Sequence, residues 1–130
     1  MTAEALGSVS PFFVVTDLAA TLRFYEERLG FETRMRAPEK DPFFAIIGHG
    51  SVQIHLKFAA PDVVPVPNRT LHAWTPWDAF VYVEDPEALA EAFAVRGATF
   101  CAELATRDDG LRGFEVQDPD GYVLFFGRPD

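Results

Sequence analysis

Hydrophobic positions along the chain follow a strand-like pattern and then a helix-like pattern. The first strand is predicted over Val9–Thr16, where β-branched and aromatic residues dominate. Asp17 then fits a helix N-cap, because its carboxylate can accept from the free amides of a first turn. Apolar residues recur at helical spacing behind it, at Leu18, Leu22, Tyr25 and Leu29. Gly30 fits the left-handed residue that ends such a helix. Three short strands are predicted next: Phe31–Met35, Phe43–Gly48 and Ser51–Lys57.

The same order of signals occurs again in the second half of the chain. A strand is predicted over Asp78–Glu84, and Asp85 fits the N-cap of a second helix. Pro86 stands at the first helical position, where its missing N–H costs nothing, and Gly97 ends the helix. Residues 118–121 read Asp-Pro-Asp-Gly and predict a hairpin turn. The strands predicted around this turn are Ala98–Ala102, Leu111–Gln117 and Tyr122–Gly127.

The two halves are separated by a segment rich in proline. Residues 59–76 contain prolines at 61, 65, 67 and 76, which forbid regular strand pairing, so we expect a linker or a loop that covers a site. The predicted class is α+β, with two sequential βαβββ modules in a single domain that spans residues 1–130. Module one covers about 8–58, the linker about 59–76 and module two about 77–128.

Composition and charge limit the partners of the chain. The 130 residues carry a net charge of −9, which argues against nucleic acid and against anionic membrane surfaces. The acidity suits a cationic small molecule, although solubility alone also explains it. Cys101 is the only cysteine, and the sequence shows no signal-peptide pattern and no apolar run long enough to cross a membrane. We therefore expect a cytoplasmic protein with no nucleic-acid partner and no membrane partner.

Alternation along the strands predicts two different sheet faces. One face is entirely apolar and is expected to lie under the helices: Ile54, Leu56, Ala79, Val81, Val83, Leu124 and Phe126. The opposite face mixes polar and aromatic residues: Gln53, His55, Lys57, Asp78, Phe80, Tyr82 and Phe125. Such a surface suits a small-molecule cavity, because rings supply contact area and a few polar groups supply orientation. An exposed sheet face would also be mixed in this way.

Two segments and their order resemble a known superfamily. Phe12–Phe31 combines a strand, an Asp, a helix containing Phe-Tyr and then Leu-Gly-Phe, and Gly113–Gly127 contains the Asp-Pro-Asp-Gly hairpin. With Val83-Glu84-Asp85 before the second helix, this pattern resembles the vicinal oxygen chelate superfamily, which includes glyoxalases, dioxygenases and bleomycin-resistance proteins. The resemblance implies a curved mixed sheet around a cavity, with helices on the outer face.

The resemblance also implies four positions for metal ligands. They correspond here to Ser10, His55, Asp78 and Phe125. Phenylalanine cannot ligate a metal and neutral serine is a poor ligand, so only His55 and Asp78 remain, whereas a catalytic site needs about three protein ligands. We therefore expect neither a bound metal nor another cofactor. The chain resembles the bleomycin-resistance branch most closely, where phenyl-type residues also stand at lost ligand positions and two chains form a dimer.

The resulting prediction is a metal-independent homodimer that binds an aromatic or cationic small molecule. No catalytic residue is assigned, and binding rather than catalysis is expected. The candidate ligand-binding residues are His55, Asp78, Phe80, Tyr82, Phe125, Phe12, Trp77 and Glu115.

Other interpretations of these residues stay open at the level of sequence. His55 also fits a structural histidine hydrogen-bonded to Asp78, and Asp78 also fits the solvated start of a strand. Trp77 and Trp74 also fit a clamp on the linker or a contact between two chains. The alternative function is a metal-dependent lyase, isomerase or oxygenase with an atypical site around His55 and Asp78. A structural or regulatory dimer with a vestigial cavity is a third possibility.

Overall fold

A computed structural model describes residues 4–130 of the chain. Each module supplies four strands and one long helix, and the linker adds a short helix. The elements of module one are β1 (Phe12–Val14), α1 (Leu18–Leu29), β2 (Glu32–Ala37), β3 (Phe44–His49) and β4 (Val52–Lys57). The linker contains α2 (Asn68–Leu71), and module two contains β5 (Ala79–Tyr82), α3 (Pro86–Val95), β6 (Ala102–Thr106), β7 (Leu111–Gln117) and β8 (Val123–Pro129).

The strands form two separate four-stranded sheets, one in each module. Their orders are β1-β4-β3-β2 and β5-β8-β7-β6. In both sheets the first strand runs parallel to the last strand of its module, and the remaining pairs are antiparallel. The predicted α+β class and the two βαβββ modules are therefore confirmed. No helix in the described part of the chain has the length and apolar character needed to span a membrane.

The ends of the two long helices are those that the sequence predicts. The Asp17 carboxylate accepts from the Ala20 amide at 3.0 Å, and Gly30 ends α1 with a φ of 69°. The Asp85 carboxylate accepts from the Ala88 amide at 3.1 Å at the start of α3. These contacts satisfy amides that have no partner inside the helix, which fixes where each helix begins.

The predicted apolar face packs under the helices and is shared by both modules. Its members Ile54, Leu56, Leu124 and Phe126 are buried in one hydrophobic cluster, and Ala79, Val81 and Val83 pack against it. The same cluster contains Tyr25 and Leu29 from α1 and Phe93 from α3. Neither module therefore completes this core alone.

Specific contacts join module one to the hairpin turn of module two. The rings of Phe13 and Tyr122 stack with centroids 4.2 Å apart, and the Tyr122 hydroxyl donates to the Val14 carbonyl at 2.8 Å. The hydroxyl of Tyr25 in α1 donates to the buried Asp118 carboxylate at 2.9 Å. This joint orients the second sheet relative to the first.

Three local predictions differ from the structure, and the first is the strand over Val9–Thr16, of which β1 contains only Phe12–Val14. The strand predicted over Ala98–Ala102 is wrong, because β6 begins only at Ala102, where the sheet pairing with β7 starts. Phe100 instead packs its ring against Phe114 at 5.1 Å, so the preceding residues connect α3 to the core. In the linker, α2 was not predicted, since four residues are too short to show a helical period.

Candidate functional site

Aromatic and acidic side chains of module two lie together on the sheet face opposite α3. We call this surface the second aromatic face, and it comprises Trp77, Phe80, Tyr82, Glu115 and Phe125. The register places Phe80 and Glu115 beside Phe125 on its two neighbouring strands. Ring centroids are 4.4 Å apart for Trp77 and Phe125, 5.0 Å for Phe80 and Phe125, and 4.5 Å for Phe80 and Tyr82. Five of the eight predicted ligand-binding residues therefore form one surface.

Phe125 is the floor of this face and is only 1% exposed. Beneath its ring, Gly113 of β7 lies directly opposite Gly127 of β8. A Cβ atom on Gly113 would lie 2.6 Å from Cζ of Phe125 and 2.8 Å from the Gly127 Cα. The paired glycines thus leave the room in which the Phe125 ring lies.

Glu115 is buried at the edge of the rings and receives several donors. It is 5% exposed, and its carboxylate accepts from Arg69 Nη2 and from Trp77 Nε1, each at 2.8 Å. The Cys101 thiol lies at 3.6 Å, and Arg107 Nη1 lies at 3.8 Å. Burial acts to raise the pKa of Glu115, but the hydrogen bonds from Arg69 and Trp77 outweigh it, so this pKa lies below its usual range. The group is therefore a buried carboxylate anion.

Arg107 covers the same rings from the loop between β6 and β7. Its guanidinium carbon lies 4.9 Å from the centroid of the Trp77 ring and 5.8 Å from that of Phe125. Both distances fall within the range in which a cation is attracted to a ring face. The chain's own arginines thus lie against the second aromatic face.

Asp78 is engaged by the backbone and holds the linker to the sheet. One carboxylate oxygen accepts from the Asn68 amide and the other from the Val123 amide, both at 2.8 Å. The first bond fixes the start of α2, and the second fixes the start of β8. A contact between Asp78 and a ligand stays a prediction.

The remaining predicted residues lie on the sheet of module one. We call Phe12, Phe44 and His55 the first aromatic face; their ring centroids are 5.7 to 6.1 Å apart. Phe12 is 54% exposed, and His55 is partly buried beside it. No ring pair among the described residues joins this face to the second one. One chain therefore presents two aromatic surfaces on two sheets.

The four metal-ligand positions implied by the resemblance do not suit a metal. His55 and Phe125 lie on different sheets, Phe125 offers only carbon, and both Asp78 oxygens are occupied by amides. Within residues 4–130 no three His, Cys, Asp or Glu side chains are grouped to hold an ion. The donor set thus falls short of the three or so protein ligands that a catalytic divalent metal requires.

Two cavities that adjoin the aromatic faces lie between the modules, and both are small. An open groove of about 240 Å³ is lined by Pro11, Gln53, Phe80 and Tyr82 among others. A second, mostly apolar cavity of about 260 Å³ lies beside it, under α3. Sites for drug-sized ligands are larger, roughly 300–1,000 Å³. Neither cavity alone therefore encloses a ligand of that size.

Sequence reasoning missed two side chains that lie against the second aromatic face, Arg69 and Arg107. Both come from segments without regular spacing, where no pattern predicts the direction of a side chain. The sequence also leaves the facing of Glu115 open, because it does not fix the hairpin register. The turn at 118–121 alone would pair residue 117 with residue 122, but Gly121, with a φ of 95°, adds one residue, so that Gln117 pairs with Val123 and Glu115 with Phe125.

Comparison with known proteins identifies related folds. A family model described as the Glyoxalase/Bleomycin resistance protein/Dioxygenase superfamily matches residues 6–126. No curated protein matches the sequence significantly. A bleomycin-binding protein solved with bleomycin has a TM-score of 0.71 at 21% identity, covering 96% of this chain and 100% of that chain.

Two further solved structures show the same degree of similarity. TioX from Micromonospora sp. ML1 has a TM-score of 0.70 at 20% identity, covering 95% of this chain and all of TioX. A glyoxalase-related enzyme from Clostridium phytofermentans has a TM-score of 0.71 at 17% identity, with both chains fully covered. At these identities the similarity shows a common fold.

Proposed function

The chain belongs to the glyoxalase/bleomycin resistance protein/dioxygenase superfamily, and on that premise we propose that it is a metal-independent protein that binds and sequesters a small aromatic or cationic molecule. The main support for the proposal is the position of Phe125. This residue stands where the resemblance implies a metal ligand, and its ring is instead the buried floor of an aromatic surface. A ring in that place offers nothing to a metal, and the aromatic surface that Trp77 and Phe80 form over it suits contact with a flat molecule.

Charge and ring chemistry support the choice of ligand. The net charge of −9 attracts cations, and Glu115 places one anion directly beside the rings. Aromatic contacts contribute about 0.5–1.5 kcal/mol each beyond burial of area, and a cation over a ring contributes about 0.5–2 kcal/mol. One similar fold belongs to a bleomycin-binding protein solved with its ligand. These features support an aromatic or cationic ligand.

A binding experiment with a metal assay tests this function. Calorimetric titration of planar aromatic compounds, cationic and neutral and including bleomycin, is expected to find binding tighter than about 1 mM. Phe12→Ala is expected to weaken a bound aromatic compound by about 1–3 kcal/mol, because it removes an exposed ring from the first aromatic face. Val95→Ala, on the outer surface of α3, is the matched control and is expected to change nothing.

The same preparation is expected to contain well under one equivalent of Zn, Fe, Mn or Ni by elemental analysis. A stoichiometric metal whose removal by a chelator lowers the melting temperature would overturn the proposal and favour the enzymatic alternative, because a ligand bound only by the folded state stabilises it.

We propose further that the active form is a homodimer. Large apolar side chains are exposed at Phe12 and Tyr82 and along the linker at Val64, Leu71 and Trp74. In addition, β1 and β5 pair on one side only and leave an open sheet edge in each module. A second copy would cover this surface, and it would allow the first aromatic face of one chain and the second aromatic face of its partner to enclose one ligand.

Sedimentation at micromolar concentration is expected to give about twice 14.5 kDa. Trp74→Ser is expected to raise the dissociation constant of the dimer by at least about tenfold, because truncated aromatic residues often dominate such interfaces. Val95→Ser, equally exposed and apolar, is the control and should leave the dimer intact. A monomer at these concentrations for the unmodified chain would exclude the two-chain cleft.

A further inference from the structure

The buried carboxylate of the second aromatic face is bound by a guanidinium from the linker. Arg69 of α2 donates to Glu115 at 2.8 Å, and the same Nη2 atom also donates to the Pro76 carbonyl at 3.0 Å. The side chain of Glu115 is 6% exposed, whereas that of Arg69 is 37% exposed. The anion is thus part of the sheet surface, and the cation lies on it from outside.

Aromatic rings complete the surroundings of this ion pair. Trp77 donates its indole N–H to the second oxygen of Glu115 and holds its ring 4.4 Å from that of Phe125. Arg107 places a second guanidinium over the Trp77 ring at 4.9 Å. A fixed carboxylate beside flat rings is the chemistry that recognises a planar cation attached to an aromatic group. Here the two cationic positions are taken by arginines of the chain itself.

We propose that the second aromatic face is a binding site for an aromatic amidine or guanidine, and that Arg69 is its displaceable internal occupant. This inference rests on the proposed binding function and names the ligand class and the contact that controls it. The ligand pairs its cation with Glu115 in place of Arg69 and lays its ring beside Trp77, which is partly exposed.

The position of Arg69 in the chain permits this exchange. Its helix α2 has four residues and none of them is buried, so little apolar packing opposes its movement. The linker on both sides also exposes apolar residues such as Val64 and Trp74. Arg69 competes for Glu115 in every molecule. The apparent association constant for a cation therefore equals the intrinsic constant multiplied by the fraction of molecules in which Arg69 has released Glu115.

Benzamidine and benzamide are the matched probes, since they share shape and ring and differ in charge. Arg69→Ala is expected to tighten benzamidine binding at least about fivefold and to leave benzamide unchanged. Adding Glu115→Gln to this variant is expected to remove the preference for benzamidine. Arg34→Ala is the control, because Arg34 also pairs with a glutamate, Glu32, at 3.0 Å but lies on module one. It should change neither affinity.

Each outcome separates this inference from the function on which it rests. One outcome is that aromatic compounds bind while Arg69→Ala leaves the benzamidine affinity unchanged or only lowers the melting temperature. In that case Arg69 serves only to hold the linker on the sheet, and the inference is wrong, but the proposed sequestering function is unaffected. If no compound binds to any variant, the proposed function fails as well. Should Arg69→Ala not fold, Arg69→Lys removes the planar fork but keeps the charge. Tighter benzamidine binding to that variant supports displacement, and unchanged binding contradicts it.

Discussion

Replacing Gly113 by alanine is expected to lower the free energy of unfolding by about 3–5 kcal/mol. The added Cβ would collide with the Phe126 carbonyl oxygen and would lie 2.6 Å from Cζ of Phe125. The carbonyl belongs to the neighbouring strand of the same ladder, so it cannot move without separating β7 from β8. The Phe125 ring would also have to leave its buried position. The penalty is therefore steric, and it affects the floor of the candidate site directly.

Urea denaturation of three variants measures this effect. Gly127→Ala is expected to match Gly113→Ala, since its Cβ would meet the Arg112 carbonyl and lie 2.9 Å from the Gly113 Cα. Gly7→Ala is the control, because nothing lies within 4 Å of a Cβ there, and it should change stability by less than about 0.5 kcal/mol. A Gly113→Ala protein within 1 kcal/mol of the unmodified chain would contradict the close approach of the two strands.

The second large effect that we expect is a decrease in the free energy of unfolding as the pH rises from about 4 to about 6. Asp118 is 5% exposed, and it accepts hydrogen bonds from the Tyr25 hydroxyl and from the amides of Asp120 and Tyr122. Burial outweighs these bonds and raises the pKa of Asp118 from 3.8 to about 6. Between these two values the folded chain keeps a proton that the unfolded chain has released.

Proton linkage fixes the direction of this effect. Because the folded state binds the proton more tightly, its advantage is fully present below about pH 4 and is lost as the pH rises through about 6. The expected loss is about 1–3 kcal/mol, since one pKa unit corresponds to about 1.4 kcal/mol. The loss occurs at the joint between the modules, where Tyr25 of α1 meets Asp118 of the hairpin turn.

The matched variant is Asp118→Asn, which cannot titrate but keeps an oxygen for the two amides. The unfolding free energy of the unmodified chain minus that of Asp118→Asn is expected to fall between pH 4 and 6.5. Tyr25→Phe removes a bond that lowers the pKa of Asp118, so the fall is expected to extend to higher pH. A difference that rises with pH would mean that the hydrogen bonds to the carboxylate outweigh its burial.

Much of the site was accessible to sequence reasoning, because strand alternation assigns faces without knowledge of the fold. By alternation, Phe80, Tyr82 and Phe125 have the same parity, meaning that they point to the same side of their sheet, and they do lie on one surface. His55 shares that parity as well, but it belongs to the other sheet of the chain. Parity shows which way a side chain points from its own sheet, and it contains no information on which sheets face each other.

The roles of Asp78 and Glu115 show a second limit of the sequence. Both carboxylates were predicted on the ligand side, yet Asp78 is bound by two amides and Glu115 by Arg69 and Trp77. Their partners lie 10 to 46 residues away in the sequence, and two of the four, Asn68 and Arg69, come from the linker. Such contacts depend on where the linker crosses the sheet, and no local pattern encodes that path.

The sequence by itself determined most of the elements, the caps of the two long helices, the repeated module and the division of the strands into a core face and an opposite, mixed face. These features depend on residues within a turn or a strand of each other, so local spacing and conformational preference are sufficient. Only the tertiary structure decided that the strands form two sheets, that paired glycines make room for Phe125 and that Arg69 occupies Glu115. Those features arise from contacts between distant segments, whose geometry is fixed only when the shared core of both modules has formed.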